Sequence, residues 1–351
     1  MKPSTCIITG GAGFIGCEVS HLIEKEFDNI IVVDNLHPQI HKERVKPSRL
    51  SSKANLFEND VTDATAWDEV LSKYKPDVII HLAAETGTGQ SLNESSRHAN
   101  VNVLGTTQML DALVRNKAIP TKLILASSRA VYGEGKWIKT DGVEFYPGQR
   151  DNNQLEEGAW DFEDAEFTPM NSANNVPMPT SIYGSTKLAQ EHIIACWCKS
   201  YNVNYTIFRF QNVYGPGQSL INPYTGIVSL FVRLAKEKKS IPLYEDGEML
   251  RDFVYISDVA NAITETLYNP KSNNSIIDIG SGQKKTIADI AELIAARYDA
   301  PKPHVCGKYR NGDVRHAASD ISTTMEILEW RPQVSVEQGI NQLCDWIDEV
   351  I

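Results

Sequence analysis

Near its start the chain passes from an apolar run, Thr5-Cys-Ile-Ile-Thr9, through Gly10-Gly-Ala-Gly13-Phe14-Ile15-Gly16 into an amphipathic stretch carrying Val19, Leu22 and Ile23. Buried strand, glycine turn and helix in that order leave few folds open. The glycines permit a tight turn and let backbone amides approach a pyrophosphate, which also sees the positive end of the helix dipole. Taken alone, such a loop is weak evidence. The next strand, Ile30-Ile-Val-Val33, ends in Asp34, at the spacing where a carboxylate binds both hydroxyls of an adenosine ribose. The same carboxylate repels a 2′-phosphate, so NAD is favoured over NADP; the competing reading of Asp34 is a helix-capping or loop residue.

Further strand-like runs follow at Ala54-Asn-Leu-Phe57, which leads to Asp60-Val61, at Asp77-Val-Ile-Ile80 and at Lys122-Leu-Ile-Leu125, with helical patterns between them. This alternation predicts an α/β fold with a parallel, doubly wound sheet, completed by strands near Tyr205–Phe210 and Ser275–Ile279. In that architecture ligands lie beyond the carboxyl ends of the strands. Those ends carry Asp60, the run His81-Leu82-Ala83-Ala84-Glu85, and Ser127-Ser128. Asp60 is a candidate for contact with adenine. His81 reads as structural, a strand-end histidine that satisfies a backbone group.

At 351 residues the chain is long for one core, so two domains, or a large domain with a smaller lobe, are expected. A net charge of −11 argues against a nucleic-acid partner, because such binders need a broad basic face. An anionic ligand must then be held by a few placed arginines and backbone amides. No apolar run approaches membrane-spanning length, and the six cysteines are scattered, so neither a membrane partner nor a metal is expected. With the first strand starting at Thr5 there is no room for a signal or transit peptide, and the expected location is the cytoplasm.

Downstream, Tyr183 and Lys187 stand four residues apart in Ser181-Ile-Tyr-Gly-Ser-Thr-Lys187. On a helix that spacing puts both on one face, where the ammonium reaches toward the phenol and favours its ionised form. A phenol so tuned can act as a base near neutral pH. The spacing alone is more often a chance surface pair; with the glycine turn upstream it points to redox chemistry on a bound nicotinamide. Phe208-Arg-Phe-Gln-Asn212 reads as a strand running into a turn, which places the Asn212 amide where it can donate to a phosphate. A helix is read from Pro223 through Phe231. Arg251, at the start of another strand, offers a fork of donors suited to a diphosphate, and Arg315 offers a second. A surface salt bridge is the competing reading for each.

With these motifs in this order, together with Asn102-Val-Leu-Gly-Thr106 and Asn212-Val-Tyr-Gly-Pro216, the chain resembles the extended short-chain dehydrogenase/reductases over essentially its whole length. The resemblance implies a Rossmann sheet holding NAD, a smaller α/β substrate-binding lobe, and action on nucleoside-diphosphate sugars. It implies Tyr183 as the catalytic base, Lys187 as the residue that tunes it and holds the nicotinamide ribose, and Ser128 as the partner of the reacting sugar hydroxyl. Asn35, Val61, Leu82, Ala83 and Ala84 would border the cofactor, with Asn102 as the family's structural asparagine nearby. Arg251 and Arg315 would grip the diphosphate, and Arg129 and Asn212 would complete the substrate contacts. Long helices before Gly105 and after Tyr183 pair across a two-fold axis in similar enzymes, so a homodimer is expected. The expected division is 1–212, with 251–280 contributing, for the cofactor domain, and 213–250 with 281–351 for the substrate lobe.

The run Ser128-Arg129-Ala130-Val-Tyr-Gly133 narrows the reaction. Similar 4,6-dehydratases carry an Asp-Glu pair at the positions of Arg129 and Ala130, because water elimination needs a further acid and base. Similar decarboxylases carry Glu, and similar 3,5-epimerases Cys, where this chain has Ala130. What remains needs one base and a hydride acceptor: oxidation at C4, rotation of the 4-keto sugar, and return of the hydride to the opposite face. The rival readings are a UDP-hexose 4-epimerase, a net dehydrogenase/reductase, and an NAD-sensing protein without catalysis. Ser127–Gly135 and Phe210–Gly226 look like a subgroup that includes dTDP-L-rhamnose 4-epimerases, although the cysteine pairs frequent in that subgroup's insertion are absent here. That insertion, 134–180, holds Trp137, Trp160 and a dense acidic stretch, and reads as either a lid over the sugar pocket or a surface excursion.

Overall fold

In the computed structural model, which describes residues 4–222 and 226–351, the apolar runs become strands whose alternate residues face two different helical layers. Strands β1 (Thr5–Thr9), β2 (Asn29–Asp34), β3 (Ala54–Glu58), β4 (Val78–His81), β5 (Lys122–Ser128), β6 (Asn204–Phe210) and β7 (Ser275–Ile279) pair in the order β7-β6-β5-β4-β1-β2-β3, all parallel. Cys6, Ile8, Ile30, Val32 and Ile80 face one layer, where α1 (Phe14–Leu22) packs on α5 (Ile256–Glu265) through Val19, Val259 and Ile263. Ile7, Ile31, Ile79, Leu123 and Leu125 face the other, made of α2 (Ala64–Lys73), α3 (Gly105–Arg115) and α4 (Ile182–Tyr201). Burial on both faces is why these strands read as continuous apolar runs. The strand order reverses direction at β1, between β4 and β2, so the crevice opens above that point.

A second apolar cluster forms the smaller lobe. Val228, Phe231 and Val232 meet Ile287, Ile290 and Ile294 and the helix face of Ile340, Leu343 and Ile347. The expected lobe boundary is crossed in both directions: Ile321, Leu328 and Trp330 join the core under the sheet, because the helix Ser322–Leu328 packs beside β7, while Phe253, Tyr255 and Ile256 from the 251–280 segment join the smaller lobe's cluster. The helix read from Pro223 begins at Ile227; Pro223, Tyr224 and Thr225 lie outside the described residues. The long helix expected before Gly105 is a run of three pieces, an α turn at Ser95–Ala99, a π turn at Asn100–Leu104 and then α3.

The 134–180 insertion is packed rather than looped out. Three short antiparallel strands, Trp137–Lys139, Glu144–Phe145 and Ala165–Phe167, cover Trp137, which is 1% exposed. Its return path is pinned to the sheet where Ser172 N donates to Asp278 Oδ2 at 2.7 Å.

Candidate active site

The cofactor cleft is shaped by backbone. Gly10 has φ +63°, and a Cβ there would lie 2.7 Å from the Ala83 nitrogen; a Cβ on Gly16 would lie 2.4 Å from Gly11 Cα. Only glycine lets the turn and α1 approach this closely. Gly13 caps α1 without any side-chain bond, whereas Asp63 caps α2 and Ser181 caps α4. The amides at the α1 terminus are therefore left for a ligand's anion. Above them lies a cavity of about 530 Å³, within the usual range for a small-molecule site, bordered by Phe14, Ile15, Asp34, Asn35, Val61 and the Leu82-Ala83-Ala84 run. Asp34 accepts from Ala12 N at 3.0 Å and Leu36 N at 2.9 Å, and burial holds its carboxyl above the ordinary range. Each oxygen keeps a lone pair for a ribose hydroxyl.

Asp60 stands one step back from the cavity. It accepts from Thr62 and from the Asn35 amide at 2.9 Å, and so orients Asn35. The cradle for a dinucleotide is thus present, with glycines where a side chain would block it and a carboxylate where a ribose would sit. The sequence reading missed the polar groups that cross this cavity. Gln39 Nε2 donates to Gln90 Oε1 and to Asn222 Oδ1, each at 3.0 Å, and Arg97 bonds Gln39, Glu85 and Glu94. His41 stands 3.9 Å from Asp34. These partners lie up to 183 residues apart in the chain, and no local pattern announces them.

Beneath the reaction end runs a buried polar chain. His81 bonds Thr9 Oγ1 at 2.6 Å and Thr106 Oγ1 at 2.9 Å, and burial, aided by Lys187, lowers its pKa to about 3. It is a neutral structural histidine, although its partners are side chains and not a backbone group. Gln190 donates to Thr106 at 2.8 Å and accepts from Lys187 Nζ at 2.5 Å. Lys187 thus bonds Gln190 one turn further along α4, where the spacing had aimed it at the phenol. Burial lowers its pKa to about 7, with Glu191 opposing. The π turn presents Asn102, wholly buried, to both backbone groups of Glu85 and to Thr186. Its amide is committed there, so Asn102 positions the cleft wall and does not line the cavity.

Tyr183 and Ser128 meet at the carboxyl end of β5. Burial raises the phenol's pKa, while the nearby Ser128 hydroxyl and the Arg129 charge pull it back. The 3-10 turn Arg129–Tyr132 lies so close to α4 that a Cβ on Gly184 would be 2.4 Å from the Ala130 carbonyl oxygen. Arg129 Nε donates to Asn212 Oδ1 at 3.0 Å. Asn212 therefore faces Arg129 with its carbonyl, which differs from the expected amide donation but leaves its NH2 for a ligand.

The two arginines expected to grip a diphosphate are placed differently. Arg251 is buried, with Nη1 donating to the Leu250 and Arg315 carbonyls and Nη2 to Val314 O at 2.8 Å, which leaves Nε for a ligand. Arg315, 2% exposed, is held by three carboxylates: Asp161 at 2.9 and 3.0 Å, Asp246 at 2.7 and 2.8 Å, and Glu245 at 3.2 Å. Its charge is already neutralised, so the diphosphate role does not fit this geometry. Glu245 also accepts both Nη groups of Arg150, at 2.8 and 3.0 Å, and Arg150 Nε lies 3.2 Å from Glu134. This buried network, from 134, 150 and 161 to 245, 246 and 315, fastens the insertion to the smaller lobe. Nearby Arg310 is exposed and lies over the Tyr244 ring at 5.1 Å. Among the described residues no cluster of His, Cys, Asp or Glu is arranged to hold a metal, and no helix is long and apolar enough to cross a membrane.

Residues 6–157 and 158–280 match the NAD dependent epimerase/dehydratase family, and the chain belongs to it. It is 55% identical over 341 residues to a dTDP-L-rhamnose 4-epimerase from Burkholderia thailandensis, covering 97% of this chain and 94% of that protein. Among solved structures it is similar to a UDP-glucose 4-epimerase from Thermotoga maritima with UDP-glucose, at TM-score 0.80 and 28% identity, covering 99% of both chains. A UDP-glucose 4-epimerase from Thermus thermophilus in complex with NAD matches with TM-score 0.80 and 25% identity, over 99% of this chain and 100% of that one.

Proposed function

We propose that this member of the NAD dependent epimerase/dehydratase family inverts C4 of a nucleoside-diphosphate sugar, with dTDP-L-rhamnose as the leading substrate. The observation that carries the reading is a single tyrosine base, paired with Ser128 at the end of a dinucleotide cleft, beside an Ala130 that offers no second acid or base. The identity to the Burkholderia thailandensis protein supports the choice of sugar. Bound NAD supplies a hydride acceptor that returns the hydride within one turnover. Tyr183 removes the C4 hydroxyl proton, while Ser128 orients that hydroxyl and stabilises the phenolate. Lys187 and Gln190 hold the far side of the phenol's helix in register. The 4-keto sugar turns about its diphosphate, held from Arg251 and Asn212, so that its opposite face is presented for return of the hydride to C4, and Tyr183 gives the proton back to the C4 oxygen.

The insertion, fastened through Arg150 and Asp161, forms the wall of the sugar pocket, and residues 1–212 and 251–280 serve the cofactor while most of 213–250 and 281–351 serves the substrate. The exposed face of α3 and α4 is where a second copy of the chain would pair to give a homodimer. The test is to incubate the purified protein, without added cofactor, with dTDP-, UDP- and GDP-linked sugars and to read products by NMR. Conversion of dTDP-L-rhamnose to its C4 epimer is the expected result. Turnover only of a UDP-hexose would move the substrate, and a need for stoichiometric NAD would replace the epimerase by an oxidoreductase.

A further inference from the structure

The cavity above the glycine turn is also bordered by residues far from it in the chain, among them Gln39, Arg49, Ser219 and Asn222. Gln39 and Arg49 belong to the connection 35–53 between β2 and β3, which holds no helix or strand. A connection of that length in a compact domain is most often functional or disordered. This one is fastened at both ends and across its middle. Leu36 N donates to Asp34 Oδ1 at 2.9 Å as the chain leaves β2, and near the far end Ser51 N donates to Ser20 Oγ at 3.1 Å while Arg49 pairs with Glu18 of α1 at 3.6 Å. Between these anchors the loop meets the segment 217–222, whose Leu220 packs on the smaller lobe's apolar cluster. Ser219 Oγ donates to Ile40 O at 3.1 Å, and the Arg49 guanidinium lies where a Cβ on Gly217 would stand.

Gln39 is the centre of these contacts. Its Nε2 donates to Gln90 Oε1 and to Asn222 Oδ1, each at 3.0 Å, and its Oε1 accepts from Arg97 Nη2 at 3.1 Å and Gln90 Nε2 at 3.2 Å. A primary amide has two donors and two lone pairs, so its capacity is filled. Gln90 and Asn222 are only 3% and 5% exposed, and each loses a bond in a buried place if Gln39 swings away. Next to Gln90, the Ser91 hydroxyl accepts from Tyr183 N at 3.1 Å. The contacts thus join the end of β2, the start of α4 and the smaller lobe around one cavity.

We propose that Gln39 is the hub of a clasp that closes the cofactor cleft, so that NAD enters and leaves only when the loop 37–49 parts from 217–222. This rests on the cleft holding NAD and not on the choice of sugar. The amides at the α1 terminus and the Asp34 carboxylate, which suit a dinucleotide, take no part in the bonds between loop and lobe. The clasp therefore governs passage and not grip. A gate that opens equally well with the cleft empty or filled speeds or slows entry and exit together and leaves the equilibrium affinity nearly fixed. In the proposed epimerisation the hydride is held between two half-reactions, and a closed clasp keeps that half-way state from being lost.

The test uses the full-length protein loaded with NAD, as Asn222→Ala, Gln39→Met and the double variant. Exchange of bound NAD for radiolabelled NAD gives the exit rate, and occupancy after dialysis against graded NAD gives Kd. Asn222→Ala breaks the lobe's bond to Gln39 without altering the loop, and Gln39→Met removes every bond of the hub at nearly constant size. The exit rate should rise about three- to tenfold in Asn222→Ala and further in Gln39→Met, while Kd moves by less than about twofold. Because both substitutions break the same link, the double variant should exchange no faster than Gln39→Met. An unchanged exit rate in Asn222→Ala overturns the inference. So does a rise in Kd equal to the rise in exit rate, which would make Asn222 and Gln39 direct contacts of the cofactor. Should Gln39→Met fail to fold, Asn222→Ala and Ser219→Ala, the second removing the bond to Ile40, decide by the same two readings. Neither measurement contains a sugar nucleotide, so failure to epimerise any sugar would count against the proposed function and not against the clasp.

Discussion

Where the cofactor's phosphates would lie the working groups are main-chain atoms; on the sugar side they are arginine and carboxylate side chains. The glycine turn and the uncapped end of α1 are fixed as soon as the strand and helix form, since the amides have nowhere else to point. The charges around Arg129, Arg251 and Arg315 depend on which carboxylates the fold brings near, and three residues of one type end with three different fates. Main-chain sites are thus insensitive to distant sequence changes and intolerant of local ones, whereas side-chain sites are the reverse.

The sharpest test of the contrast is Tyr183→Phe, which removes one hydroxyl and leaves the cleft untouched. It should lower kcat by about 10²–10⁴-fold while NAD content and melting temperature stay at wild-type values; retained activity would mean that another group is the base. Next in size is Glu245→Ala. It strips Arg150 and Arg315 of a shared buried carboxylate, and stability measured by denaturant unfolding should fall by about 3–5 kcal/mol. A loss below about 1 kcal/mol would show that the network does not fasten the insertion. Gly10→Ala forces a side chain into a left-handed turn against Ala83, at a cost of about 1–3 kcal/mol, and should release bound NAD more than it lowers the melting temperature. The smallest effect belongs to Asp161→Asn. Asp161 is the half-exposed partner of Arg315, so its removal should cost under about 1 kcal/mol. His316, Arg315 and their hydrogen bonds hold the Asp161 carboxyl below its ordinary range, so its contribution is present at neutral pH and is lost as pH falls through that lowered value; the variant should flatten this part of the acid unfolding curve.

The same contrast explains what could be read from the chain unaided. Strands β1 to β7, the glycine turn, Asp34 and the Tyr183–Lys187 helix follow from neighbours within a few residues, and they stand where periodicity and spacing place them. His81 was legible as structural for the same reason. Arg315 was not, because its partners come from residues 161, 245 and 246, which no local pattern joins. The turn toward Gln190 taken by Lys187, and the π turn that aims Asn102 at Glu85, were hidden because helical spacing states which face a residue occupies and not which neighbour on that face it bonds. The insertion's sequence showed aromatic and acidic residues but not that Arg150 buries itself between Glu134 and Glu245.

The most direct measurement of the proposed chemistry is epimerisation of dTDP-L-rhamnose in D2O by the purified protein, with the C4 position of the product read by NMR. Tyr183 handles only the hydroxyl proton, and the carbon-bound hydrogen leaves and returns as hydride inside a closed site. The account therefore predicts a C4 epimer that still carries protium at C4, with no reduced cofactor accumulating. Deuterium at C4, or a 4-keto product released together with reduced cofactor, would contradict it.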